Sequence, residues 1–147
     1  MSMICELNQE VVVGCFLKEA VMNKFERYRL YEENLYPGWW WLLDRYIPRI
    51  MKEDPGCQVS IRETYGVLRV DLVSSTIQEK TLRNVEEILA FASTETCEIC
   101  GSHGKLCTNI SPVQTLCRRC ELLELEAKFN IAMETEQRWI ETAQDEL

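Results

Sequence analysis

The 147-residue sequence has no long hydrophobic run. Its longest apolar stretches, at residues 11–13 and 39–43, fall far short of the roughly 20 residues that a membrane-spanning helix needs. Near the N-terminus, Glu6 and Glu10 stand where a secretory signal would need basic residues followed by an apolar stretch. These features predict a cytoplasmic protein without membrane association.

Histidine and basic residues are also scarce. The single histidine, His103, excludes metal centres built on histidine pairs and disfavours a Cys–His nucleophile. Sixteen Lys and Arg against 24 Asp and Glu give a net charge of −8, which opposes the counterion release that drives binding to nucleic acid. Six Gly and four Pro are too few for a collagen-like or low-complexity chain. We expect a folded, acidic, single-domain protein for which nucleic-acid binding is unlikely.

Cysteine, by contrast, is abundant. Five of the eight cysteines fall between residues 97 and 120, whereas Cys5, Cys15 and Cys57 are scattered and receive no predicted role. Disulfide frameworks belong to oxidising compartments, so clustered cysteines in a cytoplasmic protein indicate a metal site.

Four of the clustered cysteines form two C-x-x-C pairs, Cys97 with Cys100 and Cys117 with Cys120, separated by sixteen residues. Each pair can present two sulfurs to one ion from a tight turn, and two pairs complete a tetrahedron. Gly101 follows the first pair, where the turn needs a positive φ. The spacing predicts one structural Zn²⁺ bound by these four cysteines.

Two alternatives to this ligand set stay open, because His103 or Cys107 could replace one of the cysteines. Catalysis is not expected, since a catalytic zinc keeps one position open for water whereas four thiolates close the shell. The zinc-deaminase signature is also missing, as no Glu follows His103 in an H-x-E motif and no Pro precedes Cys117. We predict that the protein is not an enzyme.

Hydrophobic periodicity predicts the secondary structure around the cluster. Alternating segments predict a β-hairpin, in which Glu63 and Arg69 are expected to form a cross-strand ion pair. Pro48 is expected to kink or break the second helix. The predicted elements are helices at 16–35, 39–52 and 79–92, hairpin strands at 58–63 and 67–73, and a helix from 116 almost to the end.

The predicted fold class is therefore α+β, with N-terminal helices and a β-hairpin. Residues 1–96 form the α+β body, and residues 97–120 form a treble-clef-like zinc site. That site leads into a long acidic C-terminal helix at 121–145. We expect these parts to pack as one globular unit.

Separated motifs also resemble those of a family of small bacterial and phage zinc-finger-like proteins. The matching segments are Pro37-Gly38-Trp39, the hairpin sequence at 62–69, Cys97-Glu98-Ile99-Cys100-Gly101 and Thr115-Leu116-Cys117. The resemblance covers about residues 37–120 and implies bound zinc and a bacterial or phage source, without implying an activity. The sequence departs from the family pattern at Thr64, at Asp71 and at Ser111-Pro112, which replaces a Gly-Trp pair.

Aromatic residues suggest where a partner could bind. Trp39, Trp40 and Trp41 are consecutive and cannot all lie on one buried helical stripe, so at least one is expected at the surface. On the C-terminal helix, Trp139 and Ile140 form a second candidate contact. The first part of that helix is expected to bury its apolar stripe, beginning with Leu122 and Leu125, against helix 79–92 or the hairpin.

These features predict a non-enzymatic, zinc-stabilised protein-binding factor. A phage or prophage accessory protein or inhibitor that acts on a host protein is the leading interpretation, and self-association stays open. The alternative is a nucleic-acid-binding regulator that uses Lys105, Arg118 and Arg119, or a nucleic-acid mimic that uses the acidic residues.

Overall fold

The computed structural model describes residues 23–145, which form an α+β fold of helices and two small antiparallel sheets. The predicted fold class is thus confirmed, whereas Cys5, Cys15 and the first part of the predicted helix 16–35 lie outside the described residues. The elements in chain order are α1 (Lys24–Asn34), a 3-10 helix (Pro37–Trp39), α2 (Trp40–Glu53), β1 (Gln58–Thr64), β2 (Val67–Val73), α3 (Glu79–Ser93), β3 (Lys105–Cys107), β4 (Gln114–Leu116) and α4 (Arg118–Asp145).

Helix α1 begins at a side-chain cap, because Asn23 Oδ1 accepts a hydrogen bond from the Glu26 N–H at 2.8 Å. It buries Tyr31, whose hydroxyl donates to Asp44 of α2 at 3.1 Å. Phe25, by contrast, is 68% exposed. Contact with α2 therefore selects the side of α1 that carries Tyr31.

Helix α2 continues through Pro48, so the expected break does not occur. Proline removes one helical hydrogen bond and crowds the preceding turn. Buried apolar residues lie on both sides of it, and they hold both halves of the helix against the core. These residues are Leu42, Leu43, Ile47, Ile50 and Met51.

The predicted hairpin is present, with β1 and β2 joined by the two-residue turn Tyr65-Gly66, where φ is 53° and 78°. Positive φ at both positions is typical of a type I′ turn, whose twist matches that of the strands. One face of β2 packs against α3, burying Leu68, Val70 and Leu72 with Leu82 and Leu89.

The expected ion pair between Glu63 and Arg69 is wrong. The register sets Arg69 opposite Arg62 and Glu63 opposite Leu68, so the two side chains point to opposite faces of the hairpin. The exposed face carries an Arg62–Asp71 ion pair instead. Glu63 Oε2 accepts a hydrogen bond from the Gly66 N–H within the turn.

Within residues 23–145, none of the helices combines the length and apolar character required to cross a lipid bilayer.

The 3-10 helix docks the body onto the cysteine-rich segment. The Gly38 N–H donates to the Glu98 carbonyl at 2.8 Å, and the Trp39 indole N–H donates to the Thr96 carbonyl at 2.8 Å. A Cβ atom on Gly38 would lie 2.2 Å from the Cys97 carbonyl oxygen. The two backbones therefore approach closely enough that only glycine fits.

We predict that Gly38→Ala lowers the free energy of unfolding by about 2 kcal/mol or more, because the added methyl group meets rigid backbone. Gly56→Ala is the matched control, since its Cβ would contact only the Asp54 carboxylate, at 3.4 Å. Urea unfolding of both variants measures the difference. Equal stability of the two variants would contradict this account of the junction.

Candidate metal centre

The first C-x-x-C pair lies in a tight turn at residues 97–101, which we call the first knuckle. The Gly101 N–H donates to the Cys97 carbonyl at 2.9 Å, and the Cys97 N–H donates to the Ser102 carbonyl at 2.7 Å. Gly101 has φ of 85°, as its place in the sequence predicts. This turn aims the sulfurs of Cys97 and Cys100 at the same point.

The second pair lies at the start of α4. Cys117 immediately precedes the helix, and its sulfur accepts a hydrogen bond from the Cys120 N–H at 3.4 Å. The unpaired N–H groups of a helix N-terminus favour negative charge, so they favour the thiolate form that metal binding requires. The predicted position of this pair at the beginning of a long helix is observed.

The four sulfurs meet in one cluster. The Sγ atoms of Cys97, Cys100, Cys117 and Cys120 all lie within 4.8 Å of one another, and those of Cys100 and Cys117 are 3.6 Å apart. Sulfurs at the corners of a tetrahedron with metal–sulfur bonds of about 2.3 Å are separated by about 3.8 Å. The cluster can therefore hold one metal ion.

The alternative ligands lie outside this group. Cys107 is buried in a small core beside the cluster, with Ile110 and Leu116, and burial raises the pKa of its thiol. His103 is exposed, and its backbone pairs with Thr96. The geometry assigns Cys107 to packing and leaves the four paired cysteines as the ligand set.

The thiols of the cluster differ in their acidity. The hydroxyl and backbone N–H of Ser102 hydrogen-bond Cys100 and lower the pKa of that thiol to about 6, because they stabilise the thiolate. Burial raises the pKa of the Cys120 thiol, and its neighbouring cysteines raise it further. Cys100, at the surface, therefore ionises more readily than Cys120.

Glu98 is a buried residue of the knuckle whose role the sequence reasoning missed. Its carboxylate accepts a hydrogen bond from the Thr115 N–H at 2.9 Å, and its own N–H donates to the Thr115 carbonyl at 2.9 Å. Burial raises the pKa of this carboxyl to about 7. Its position between the two cysteines of the first pair could have indicated this role, because a side chain at that position reaches Thr115 of β4.

The three consecutive tryptophans have three different environments. Trp39 is fully buried, so it is a packing residue and cannot act as the surface contact that the sequence allowed. Trp40 is half-buried and stacks on Tyr28 with ring centroids 5.8 Å apart. Trp41 is exposed, with the Arg45 guanidinium 5.0 Å from its ring centroid.

Helix α4 departs from the expected packing. On the side that faces the body, Cys120 and Glu121 are buried and Glu124 and Lys128 are half-buried. The Lys128 ammonium donates a hydrogen bond to the Ser111 carbonyl at 2.9 Å. From residue 129 to residue 145 every side chain is exposed. The helix leaves the body at Lys128 and extends about 26 Å beyond it.

The apolar side chains of α4 consequently face solvent, so the prediction that Leu122 and Leu125 are buried is wrong. The physical reason is that Cys120 must point to the cluster, which rotates the apolar side of the helix away from the body. We call the exposed set the α4 stripe, and it comprises Leu122, Leu125, Phe129, Met133 and Ile140. Trp139, which precedes Ile140 in the sequence, is 73% exposed and lies about a quarter turn from the stripe.

The fold and the cluster define an α+β protein with four cysteines that could hold one metal ion. No family model matches the sequence, and neither a curated protein nor a solved structure matches it. The cysteine cluster and the surface of α4 are therefore the features from which a function can be inferred.

We predict one metal ion per chain, and Cys117→Ser loses it because three sulfurs no longer complete the tetrahedron. Elemental analysis of purified protein measures the metal content. Cys107→Ser and His103→Ala are the controls and retain the full metal content. Metal loss in either control, or full retention in Cys117→Ser, would show that the ligand set is different.

Proposed function

We propose that this chain is a zinc-stabilised, non-enzymatic factor of the bacterial cytoplasm that binds another protein through α4. The observation that carries the proposal is the α4 stripe, which presents large apolar side chains to water on a helix that extends from the body. Exposed apolar surface of this extent is typical of interaction sites.

Zinc is the proposed metal because four thiolates in tetrahedral array suit it best. Iron is the other common metal of such sites, and the elemental analysis described above distinguishes the two. The buried position of Cys97 and Cys120 supports a structural role, since two ligands are closed off from solvent.

The absence of catalysis follows from ligand number. Four cysteine sulfurs complete the zinc shell and leave no position for a water molecule or a substrate. The nearest carboxylate on the knuckle, that of Glu98, is buried and engaged with the Thr115 N–H, so it is not free to act as a base at the surface.

The metal instead serves the binding surface. Cys117 immediately precedes α4 and Cys120 belongs to its first turn, so binding of the ion fixes the direction in which the helix leaves the body. Formation of the first turn is the unfavourable step in forming a helix, and anchoring that turn at the cluster reduces this cost. The zinc site thus holds a docking helix in place.

A phage or prophage source is part of the proposal, and it rests on the resemblance of residues 37–120 to bacterial and phage proteins. We add to it an inhibitory action on a host protein, which the resemblance itself does not imply. The net charge of −8 supports a protein partner over duplex nucleic acid.

We predict that Phe129→Ser abolishes capture of the partner from a bacterial lysate, because it removes a large apolar side chain from the middle of the stripe. Ile131→Ser is a closely matched control. Phe129 and Ile131 are both 63% exposed, and they lie two residues apart on opposite sides of α4. Proteins retained by the wild type and by Ile131→Ser but lost from Phe129→Ser are the expected result.

Both substitutions are at exposed positions, so neither is expected to change the stability of the body, and thermal unfolding checks this. Identical lysate profiles for the three proteins would refute binding through the stripe. A chain ending at Met133 gives a second test, since it keeps the fold but loses Trp139 and Ile140.

A further inference from the structure

The α4 stripe is straight and long enough to accept a helix. At 3.6 residues per turn, Leu122, Phe129, Met133 and Ile140 lie within about 20° of a single line along the helix surface. From Leu122 to Ile140 this line is about 27 Å long, which is five helical turns. Side chains at this spacing interdigitate with those of a second amphipathic helix.

Between Leu122 and Ile140 the charges that border the stripe have one sign, whereas Arg118 and Arg119 lie before it in the first turn of α4. Glu126 and Glu136 lie on its two sides, each about 40° from the central line, and both are exposed. Glu141 lies further out on the Glu126 side. The chain from residue 121 to residue 147 holds eight acids and two bases, a net charge of −6.

The two bases of this segment do not neutralise that border. Lys128 lies about 120° from the stripe and is held by the Ser111 carbonyl, and Arg138 lies on the far side of the helix. Arg118 precedes the stripe and pairs with Glu121 at 3.4 Å. A partner that lies along the stripe therefore meets carboxylates on both flanks.

A second copy of this chain does not suit such a surface. In a pair of copies, the two segments from residue 121 to residue 147 together carry −12. Like charges along paired helices select against the pairing. Lys or Arg residues that flank the apolar face of a partner would instead form opposite-charge pairs with Glu126 and Glu136.

We infer that the stripe binds a basic amphipathic helix of another protein, one with an apolar face bordered by Lys and Arg. The inference rests on the proposed function, because it specifies the partner of the same α4 surface. The acidic border selects the partner by charge, and the apolar line provides the contact area.

Two synthetic fluorescent peptides of about three heptads test this inference. Both carry leucine along one face, and the flanking residues are Lys in one peptide and Glu in the other. Fluorescence anisotropy with the full metal-loaded chain measures binding. We expect the Lys peptide to bind at least about tenfold more tightly than the Glu peptide, with an affinity that falls as salt increases.

Variants of the full chain separate the stripe from the general charge. Phe129→Ser weakens binding of the Lys peptide by about tenfold or more, whereas Ile131→Ser changes it by less than about twofold. The double variant Glu126→Gln/Glu136→Gln weakens it, whereas Glu134→Gln/Asp145→Asn, which removes the same charge away from the stripe, has a much smaller effect.

Equal affinity for the two peptides, or failure of the Lys peptide to bind, overturns the inference. Equal affinity of the Lys peptide for Phe129→Ser and for the wild type also overturns it, because the peptide then does not bind at the stripe. Sedimentation showing a dimer that Phe129→Ser dissociates would make a second copy the occupant. In all these cases the proposed function is judged separately, by whether Phe129→Ser loses proteins from the lysate that Ile131→Ser retains.

Discussion

The backbone contact between Gly38 and the first knuckle is the constraint on which the rest of this structure depends. The backbone of Glu98 accepts a hydrogen bond from the Gly38 N–H at its carbonyl and donates one to the Thr115 carbonyl from its N–H. Thr115 in turn donates from its hydroxyl to the Gly66 carbonyl at 2.6 Å, which ties the turn of the hairpin to the same point. The helical body, the hairpin and the segment with both cysteine pairs are thereby joined at one residue.

This junction gives the residues of the separated sequence motifs a common physical role. Gly38, Gly66, Glu98 and Thr115 are far apart along the chain, yet they contact one another around the knuckle. Each glycine is found where another backbone or a neighbouring side chain approaches too closely for a Cβ atom. These residues therefore occur together with the two C-x-x-C pairs because they pack around the cysteine cluster.

The same constraint determines how α4 is used. Cys120 has to point into the cluster, and Lys128 is the last residue that contacts the body, through the Ser111 carbonyl. The opposite side of the helix, which carries the stripe, is consequently left in solvent. Exposure of these apolar side chains costs free energy, which a partner that covered them would offset, as the proposed function requires.

The sequence by itself determined most of the local structure and which four cysteines form the cluster. Alternation predicted the hairpin, helical periodicity predicted α3 and α4, and the paired spacing of Cys97, Cys100, Cys117 and Cys120 predicted the cluster, because each of these patterns reflects contacts between near neighbours. Only the tertiary structure decided which side of α4 faces the body, which tryptophan is buried, and which residue opposes Glu63. An amphipathic pattern reveals an apolar face but not what covers it, since that depends on the direction in which distant segments, here the knuckle and Gly38, orient the helix.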